Sequence, residues 1–155
     1  GVEAYQEGLN NTIESVQQNG IFNHLDLAQK GQHNKLKIEQ IGIKNIGVIQ
    51  QFGVDGIISV LQNGEENNTS LLQHSERNLS DSIQTGDFNN INDSQDGFDN
   101  SIKHEQFGNN NFSQVQQIGS NNLVEHYQIG NNLRFKIKQF GQNKSLTISQ
   151  KNRSR

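Results

Sequence analysis

The stretch QKGQHNKLKIEQIG, residues 29–42, decides how this chain is read. It opens on Gln29, places Gly31 two residues later and Asn34 three after that, carries Leu36 and Ile38 at alternate positions, and closes on Gln40, with Gly42 again two further on. Period-two alternation from Asn34 to Gln40 describes a strand with one buried face. The Gln-x-Gly-x-x segment supplies the turn, because Gly adopts the positive φ that a chain reversal needs. A helix would return the apolar side chains at i+3 and i+4, which they do not do.

Working outward, the same unit recurs almost from end to end. Gln18, Gln29, Gln40, Gln51, Gln62, Gln73, Gln84, Gln95, Gln106, Gln117, Gln128, Gln139 and Gln150 keep an unbroken spacing of eleven. Gly follows two residues later at Gly20, Gly31, Gly42, Gly53, Gly64, Gly86, Gly97, Gly108, Gly119, Gly130 and Gly141, with Ser75 and Asn152 in the two remaining places. Asn follows five residues after Gln at Asn23, Asn34, Asn45, Asn67, Asn78, Asn89, Asn100, Asn111 and Asn122; Gly56, Leu133 and Lys144 interrupt that column. Gln6, Gly8 and Asn11 form an earlier copy, offset by one inserted residue before Gln18. The chain therefore reads as one repeat domain over 1–155, with an irregular first repeat at 1–17 and a basic end at 133–155.

Composition alone leaves disorder and ordered amide-rich stacking both open, and the fixed register decides for stacking. Only 30% of the 155 residues are hydrophobic, too few to offset chain entropy by apolar burial alone. Asn and Gln take their place. The absence of Pro leaves every backbone donor free for a sheet ladder. Zero Cys excludes disulfides and thiolate-ligated metals, no apolar run reaches the ~20 residues of a membrane span, and a net charge of −3 is too small to imply nucleic acid.

Between each Asn and the next Gln the alternate pairs run Ile13/Ser15, Leu25/Leu27, Leu36/Ile38, Gly47/Ile49, Ile58/Val60, Thr69/Leu71, Ser80/Ser82, Ile91/Asp93, Ile102/His104, Ser113/Val115, Val124/His126, Phe135/Ile137 and Leu146/Ile148. One such strand cannot bury its face alone. Two placed face to face make a 22-residue rung, and rungs stacked at roughly 4.8 Å make an all-β, two-sheet parallel β-solenoid, a β-arcade with cross-β spacing. Fourteen strands give about seven rungs and a height of about 34 Å. Buried amides are costly unless paired. Each inward Gln lies one rung above another, so its NH₂ donates to the next carbonyl along the axis. Asn at the strand entrance makes a similar ladder while bonding the turn backbone.

The pattern Gln-x-Gly-x-x-Asn, five further residues and Gln resembles the repeat of the curlins, the subunits of bacterial curli fibres. Gln29 to Gln40 and Gln106 to Gln117 carry it well, and it covers nearly the whole chain. The resemblance implies secretion as an unfolded chain by outer-membrane machinery, templated folding outside the cell, a homopolymer stacked head to tail at the bacterial surface, adhesion and biofilm matrix, and partnership with a nucleator subunit. The basic C-terminal stretch, Lys136, Lys138, Lys144, Lys151, Arg153 and Arg155, also resembles the last repeat of that nucleator, so major subunit and nucleator both stay open.

Other features refine this expectation. With repeats running from Gln6 to Gln150, the terminal strands are open sheet edges and the expected polymerisation ends. Asp81 and Asp93 stand in a weak middle region with Ser80, Ser82 and His104 and are candidate gatekeepers against premature aggregation. His104 and His126, 22 residues apart, share a column and read first as plain core substitutions; the alternatives are a pH-sensitive pair or a metal site, which two His without a third ligand make only weakly. Apolar turn residues Ile41, Phe52, Phe107, Ile118, Ile129 and Phe140 either cover the core edge or serve contacts between fibres. No catalytic constellation, pocket or cofactor motif stands out, so an enzyme is not expected. A monomeric adhesin or ice-binding solenoid is the rival reading, although regular outward Thr rows are missing.

Overall fold

The computed structural model describes residues 1–152, the side chain of Ser15 excepted. Arg153 and Arg155 of the basic end lie outside the described residues. Every regular element among those residues is a strand. The odd strands are β1 (Val2–Leu9), β3 (His24–Gln32), β5 (Ile46–Val54), β7 (Asn68–Glu76), β9 (Asn90–Phe98), β11 (Phe112–Ser120) and β13 (Arg134–Gln142). The even strands are β2 (Thr12–Ile21), β4 (Lys35–Ile43), β6 (Ile57–Glu65), β8 (Leu79–Thr85), β10 (Ser101–Phe107), β12 (Leu123–Ile129) and β14 (Ser145–Lys151). Odd and even strands form two separate seven-stranded sheets, each in simple ascending order. Every pairing is parallel and sets Gln against Gln, as in Gln29 with Gln51 and Gln106 with Gln128. The seven-rung parallel solenoid expected from the repeat is therefore the fold.

The core lies between the sheets. Leu25, Leu27, Leu36, Ile38, Ile49, Ile58, Val60, Leu71 and Ile91 form one buried apolar cluster. Ile102, Val115 and Val124 form a second, joined by half-buried Phe135, Ile137 and Leu146. Burying each such side chain is worth about 1.5–3 kcal/mol. From β8 to β12 the inward face also carries polar residues, several of them beside cluster members on the same strand: Ser80, Ser82, Asp93, His104, Ser113 and His126.

Two features differ from the sequence reading. The residue inserted before Gln18 is absorbed as a β-bulge, with the register between β2 and β4 shifting between Ile13 and Ser15. The inward pair of β2 is therefore Ile13 and Val16, both packed against the core, in place of Ile13 and Ser15.

The second difference is the corner. Most strands continue through the Gly, although β8, β10 and β12 stop just before it, and the reversal falls on the residue ahead of the Asn column, which is left-handed throughout: His33 (φ 55), Lys44 (φ 55) and Phe88 (φ 59) are examples. A left-handed non-Gly residue costs roughly 1–2 kcal/mol, least for Asn and Asp. Asn or Asp fills the place at Asn10, Asp55, Asp99, Asn110, Asn121, Asn132 and Asn143. Gly is still required two residues earlier, for two reasons. At Gly31 φ is +126, and a Cβ there would lie 1.9 Å from the Gly53 carbonyl oxygen of the next rung. Ser75 occupies this column at a smaller φ of 84.

Candidate functional site

The repeat lines the space between its two sheets with amides. In the even sheet Gln18 donates to Gln40 at 2.8 Å, Gln40 to Gln62 at 2.7 Å, Gln62 to Gln84 at 3.0 Å, Gln84 to Gln106 at 3.1 Å, Gln106 to Gln128 at 2.7 Å and Gln128 to Gln150 at 2.8 Å. The odd sheet carries the matching ladder from Gln6 through Gln29, Gln51, Gln73, Gln95 and Gln117 to Gln139. Sequence reasoning missed the second amide hydrogen. It crosses to a backbone carbonyl of the facing sheet, as Gln73 does to Ile57 at 3.0 Å and Gln95 to Leu79 at 2.9 Å. The ladders thus bind rung to rung and sheet to sheet.

The Asn column bonds amide to amide at some rungs, as Asn67 does to Asn45 at 3.1 Å, and bonds the corner backbone at nearly all of them. Asn45 donates through Nδ2 to the Gly64 carbonyl at 2.9 Å, while its Oδ1 accepts the Asn67 backbone N–H at 3.0 Å. Both bonds grip the next rung at its corner, which offsets the left-handed residue beside it. Because the partner group is backbone, Gly56, Leu133 and Lys144 still join the column by donating their own N–H groups to Asn34, Asn111 and Asn122. A further corner column escaped the sequence reading: Asp87, Asn109 and Asn131 accept the backbone N–H of Glu65, Asp87 and Asn109, and Asn152 accepts that of Asn131.

The polar belt is a connected chain. Asp93 Oδ2 lies 2.8 Å from His104 Nδ1, an ion pair when the imidazole is protonated. The two atoms are off-line for a regular hydrogen bond, and neither has another partner. Asp93 Oδ1 accepts the Val115 N–H at 3.2 Å. Ser113 Oγ bridges His104 Nε2 at 3.0 Å and His126 Nδ1 at 2.9 Å, donating to one ring and accepting from the other. His126 meets Gln150 Oε1 at 3.3 Å and stacks on Phe135 with centroids 3.9 Å apart. Burial, helped by repulsion from His104, pushes the His126 pKa down to about 4, and its bond to Gln150 opposes this weakly. The column reading of His104 above His126 was right; the link through Ser113 was not visible because its members lie nine and thirteen residues away on the facing sheet. Asp93, His104 and Ser113 have the connectivity of a hydrolytic triad, but all three are buried between the sheets.

The two candidate gatekeepers part company. Asp93 points inward and is buried, while Asp81 is outward, half-buried and in register with Lys103. Of the apolar turn residues, Ile41, Phe52 and Ile118 are half-buried, whereas Phe107, Ile129 and Phe140 are exposed.

The outermost strands among the described residues, β1 with β2 and β13 with β14, each have a single hydrogen-bonded neighbour. Every ladder bond points the same way along the axis. The first rung consequently offers Gln6 and Gln18 carbonyls, and the last offers Gln139 and Gln150 N–H groups. Phe135, Ile137, Leu146 and Ile148 are only half-buried at that last rung.

Residues 108–141 match the family model described as the curlin associated repeat. Neither the curated proteins nor the solved structures give a match. The matched segment holds β11 to β13 and two of the corner grips, and the same register of Gln, Gly and Asn continues on both sides of it. Over residues 108–141 the chain is therefore similar to the curlin associated repeat, and the seven-rung solenoid extends the same unit along the described residues.

Proposed function

We propose that this protein is a structural subunit of an extracellular, curli-type amyloid fibre in which identical copies stack end to end. The observation that carries this reading is the polarity of the Gln ladders. The last rung presents unfilled donors and half-buried apolar residues, and the first presents the matching acceptors with Val2, Ala4, Ile13 and Val16 in the same inward columns. A parallel strand pair left open at each end recruits another pair, and a heterologous contact that does not close gives a filament. The polar belt runs through the fourth to sixth rungs and stops short of both ends, so stacking joins the apolar last rung of one copy to the apolar first rung of the next. In this reading the protein is not an enzyme; it serves adhesion and matrix building, with secretion machinery and a nucleator as partners. Purified protein incubated without seed should form thioflavin-positive fibres visible by electron microscopy. A stable monomer at high concentration on size-exclusion chromatography would sink the proposal.

A further inference from the structure

The end-to-end stack just proposed leaves one choice open. Both sheets carry the same repeat, so an incoming copy can dock odd sheet on odd sheet, or turn half a revolution and dock odd on even. The Gln ladders do not discriminate, since Gln139 meets Gln6 in the first docking and Gln18 in the second. The apolar columns do not either: Phe135 and Ile137 meet Val2 and Ala4 in one case, Ile13 and Val16 in the other.

Charge does discriminate. Inside the molecule, charges are paired along columns from one rung to the next: Lys30 with Glu7 at 3.1 Å, Lys44 with Glu66 at 3.0 Å and Arg77 with Asp99 at 2.7 Å. Glu3 breaks this rule. Its column neighbour is Asp26, acid beside acid, and the column continues through Val48, Ser70, Asn92 and Gln114 to Lys136 at the far end. Lys136 has no acidic neighbour in its column. The end rungs are polarised as well: residues 1–22 hold Glu3, Glu7 and Glu14 with no Lys or Arg, whereas 133–152 hold Arg134, Lys136, Lys138, Lys144 and Lys151 with no acid.

We propose that an ion pair between Lys136 of one copy and Glu3 of the next sets the rotational phase of the stack, selecting odd-on-odd docking. This rests on the end-to-end reading. In odd-on-odd docking the register that places Gln139 on Gln6 places Lys136 on Glu3, so the acid pair Glu3 and Asp26 gains a cation. In the turned docking Glu3 faces Thr147, and Lys136 faces the bulge of β2, where Glu14 is already paired with Lys35 at 3.8 Å. The same polarity opposes head-to-head and tail-to-tail contacts, which would set acid on acid or base on base.

Cross-linking reads the phase directly, because the chain has no cysteine of its own. Neighbouring rungs stand roughly 4.8 Å apart, within disulfide reach. Tyr5→Cys with Lys138→Cys reports odd-on-odd docking, and Gln17→Cys with Lys138→Cys reports the turned one. Residues 5 and 138 sit on opposite end rungs, so a bond between them joins two copies. Oxidised fibres should link through the first pair about tenfold more than through the second, the scale expected of one favourable contact replacing an unfavourable one. Lys136→Glu should erase that preference, and Glu3→Lys combined with Lys136→Glu should restore it. The double exchange also controls for the contact of Lys136 with the Phe112 ring, 5.3 Å away. Equal yields from the two pairs, or a preference that Lys136→Glu leaves unchanged, overturn the phase assignment while leaving the fibre reading intact. If no variant forms fibres, nor the parent, both fall.

Discussion

Replacing Gln95 by Leu interrupts the odd-sheet ladder with little change in volume. Gln95 is fully enclosed, donates to Gln117 Oε1 at 3.0 Å and to the Leu79 carbonyl at 2.9 Å, and accepts from Gln73 at 2.9 Å. Leucine strands one N–H of Gln73 and the Oε1 of Gln117, and the Leu79 carbonyl loses its contact from the facing sheet. A buried polar group left without a partner costs about 1–3 kcal/mol, so the loss should reach about 3–4 kcal/mol. Gln73 keeps its other bond, to Ile57, which limits the damage to the ladder itself. Urea unfolding followed by circular dichroism, at a concentration too low for assembly, measures the difference. With a slope of about 2 kcal/mol/M the midpoint should fall by roughly 1.5–2 M. Gln50→Leu is the control, since Gln50 is exposed on the same sheet and should change stability by no more than about 0.5 kcal/mol. Equal effects at the two sites, both under about 1 kcal/mol, would refute the claim that the Gln column is a buried ladder.

Three further expectations follow from the same geometry. His104→Leu leaves Asp93 buried without its ion-pair partner and should cost about 3–5 kcal/mol, whereas Asp93→Leu combined with His104→Leu should be neutral or stabilising and should shorten the lag before assembly; thermal melts and thioflavin traces check both. His126 is held neutral in the fold, with its pKa lowered from 6.5 to about 4, so the unfolded chain binds the extra proton first. Stability should fall as pH drops below about 6.5 and level off below about 4; the full displacement corresponds to about 3 kcal/mol, and solvent at the nearby end rung reduces this to about 1–2 kcal/mol. His126→Phe should flatten that part of the pH profile. Gly31→Ala forces a Cβ against the Gly53 carbonyl and a left-handed backbone together, and should cost more than about 3 kcal/mol in urea melts.

Much of this fold was legible because its contacts are periodic. A residue meets its own kind 22 positions on, so the eleven-residue spacing of Gln18 to Gln150 disclosed strand, face, sheet partner and ladder together. What stayed hidden was whatever breaks the period or crosses it. The residue inserted before Gln18 could be taken up in a turn or in a strand, and only packing decided for the bulge that brings Val16 inward. The corner rests on a left-handed residue of no fixed type, Phe at 88 and Lys at 44, because the Asn that follows secures the conformation rather than the residue itself. The belt through Asp93, His104, Ser113 and His126 joins facing sheets, where partners lie nine to thirteen residues apart and column membership gives no hint of reach. The same holds for the second amide hydrogen of Gln73, Gln95 and the other Gln residues that cross to the facing sheet.

The central claim is that copies of a seven-rung solenoid stack along one axis, and mass per unit length tests it most directly. One subunit of 17.4 kDa spread over about 34 Å gives about 0.5 kDa/Å for a single protofilament. Scanning transmission electron microscopy of unstained fibres should return that value or a small integer multiple of it. A value near 3.6 kDa/Å, one whole chain for each layer of about 4.8 Å, would mean that the chains lie flat in the fibre, and would contradict the account.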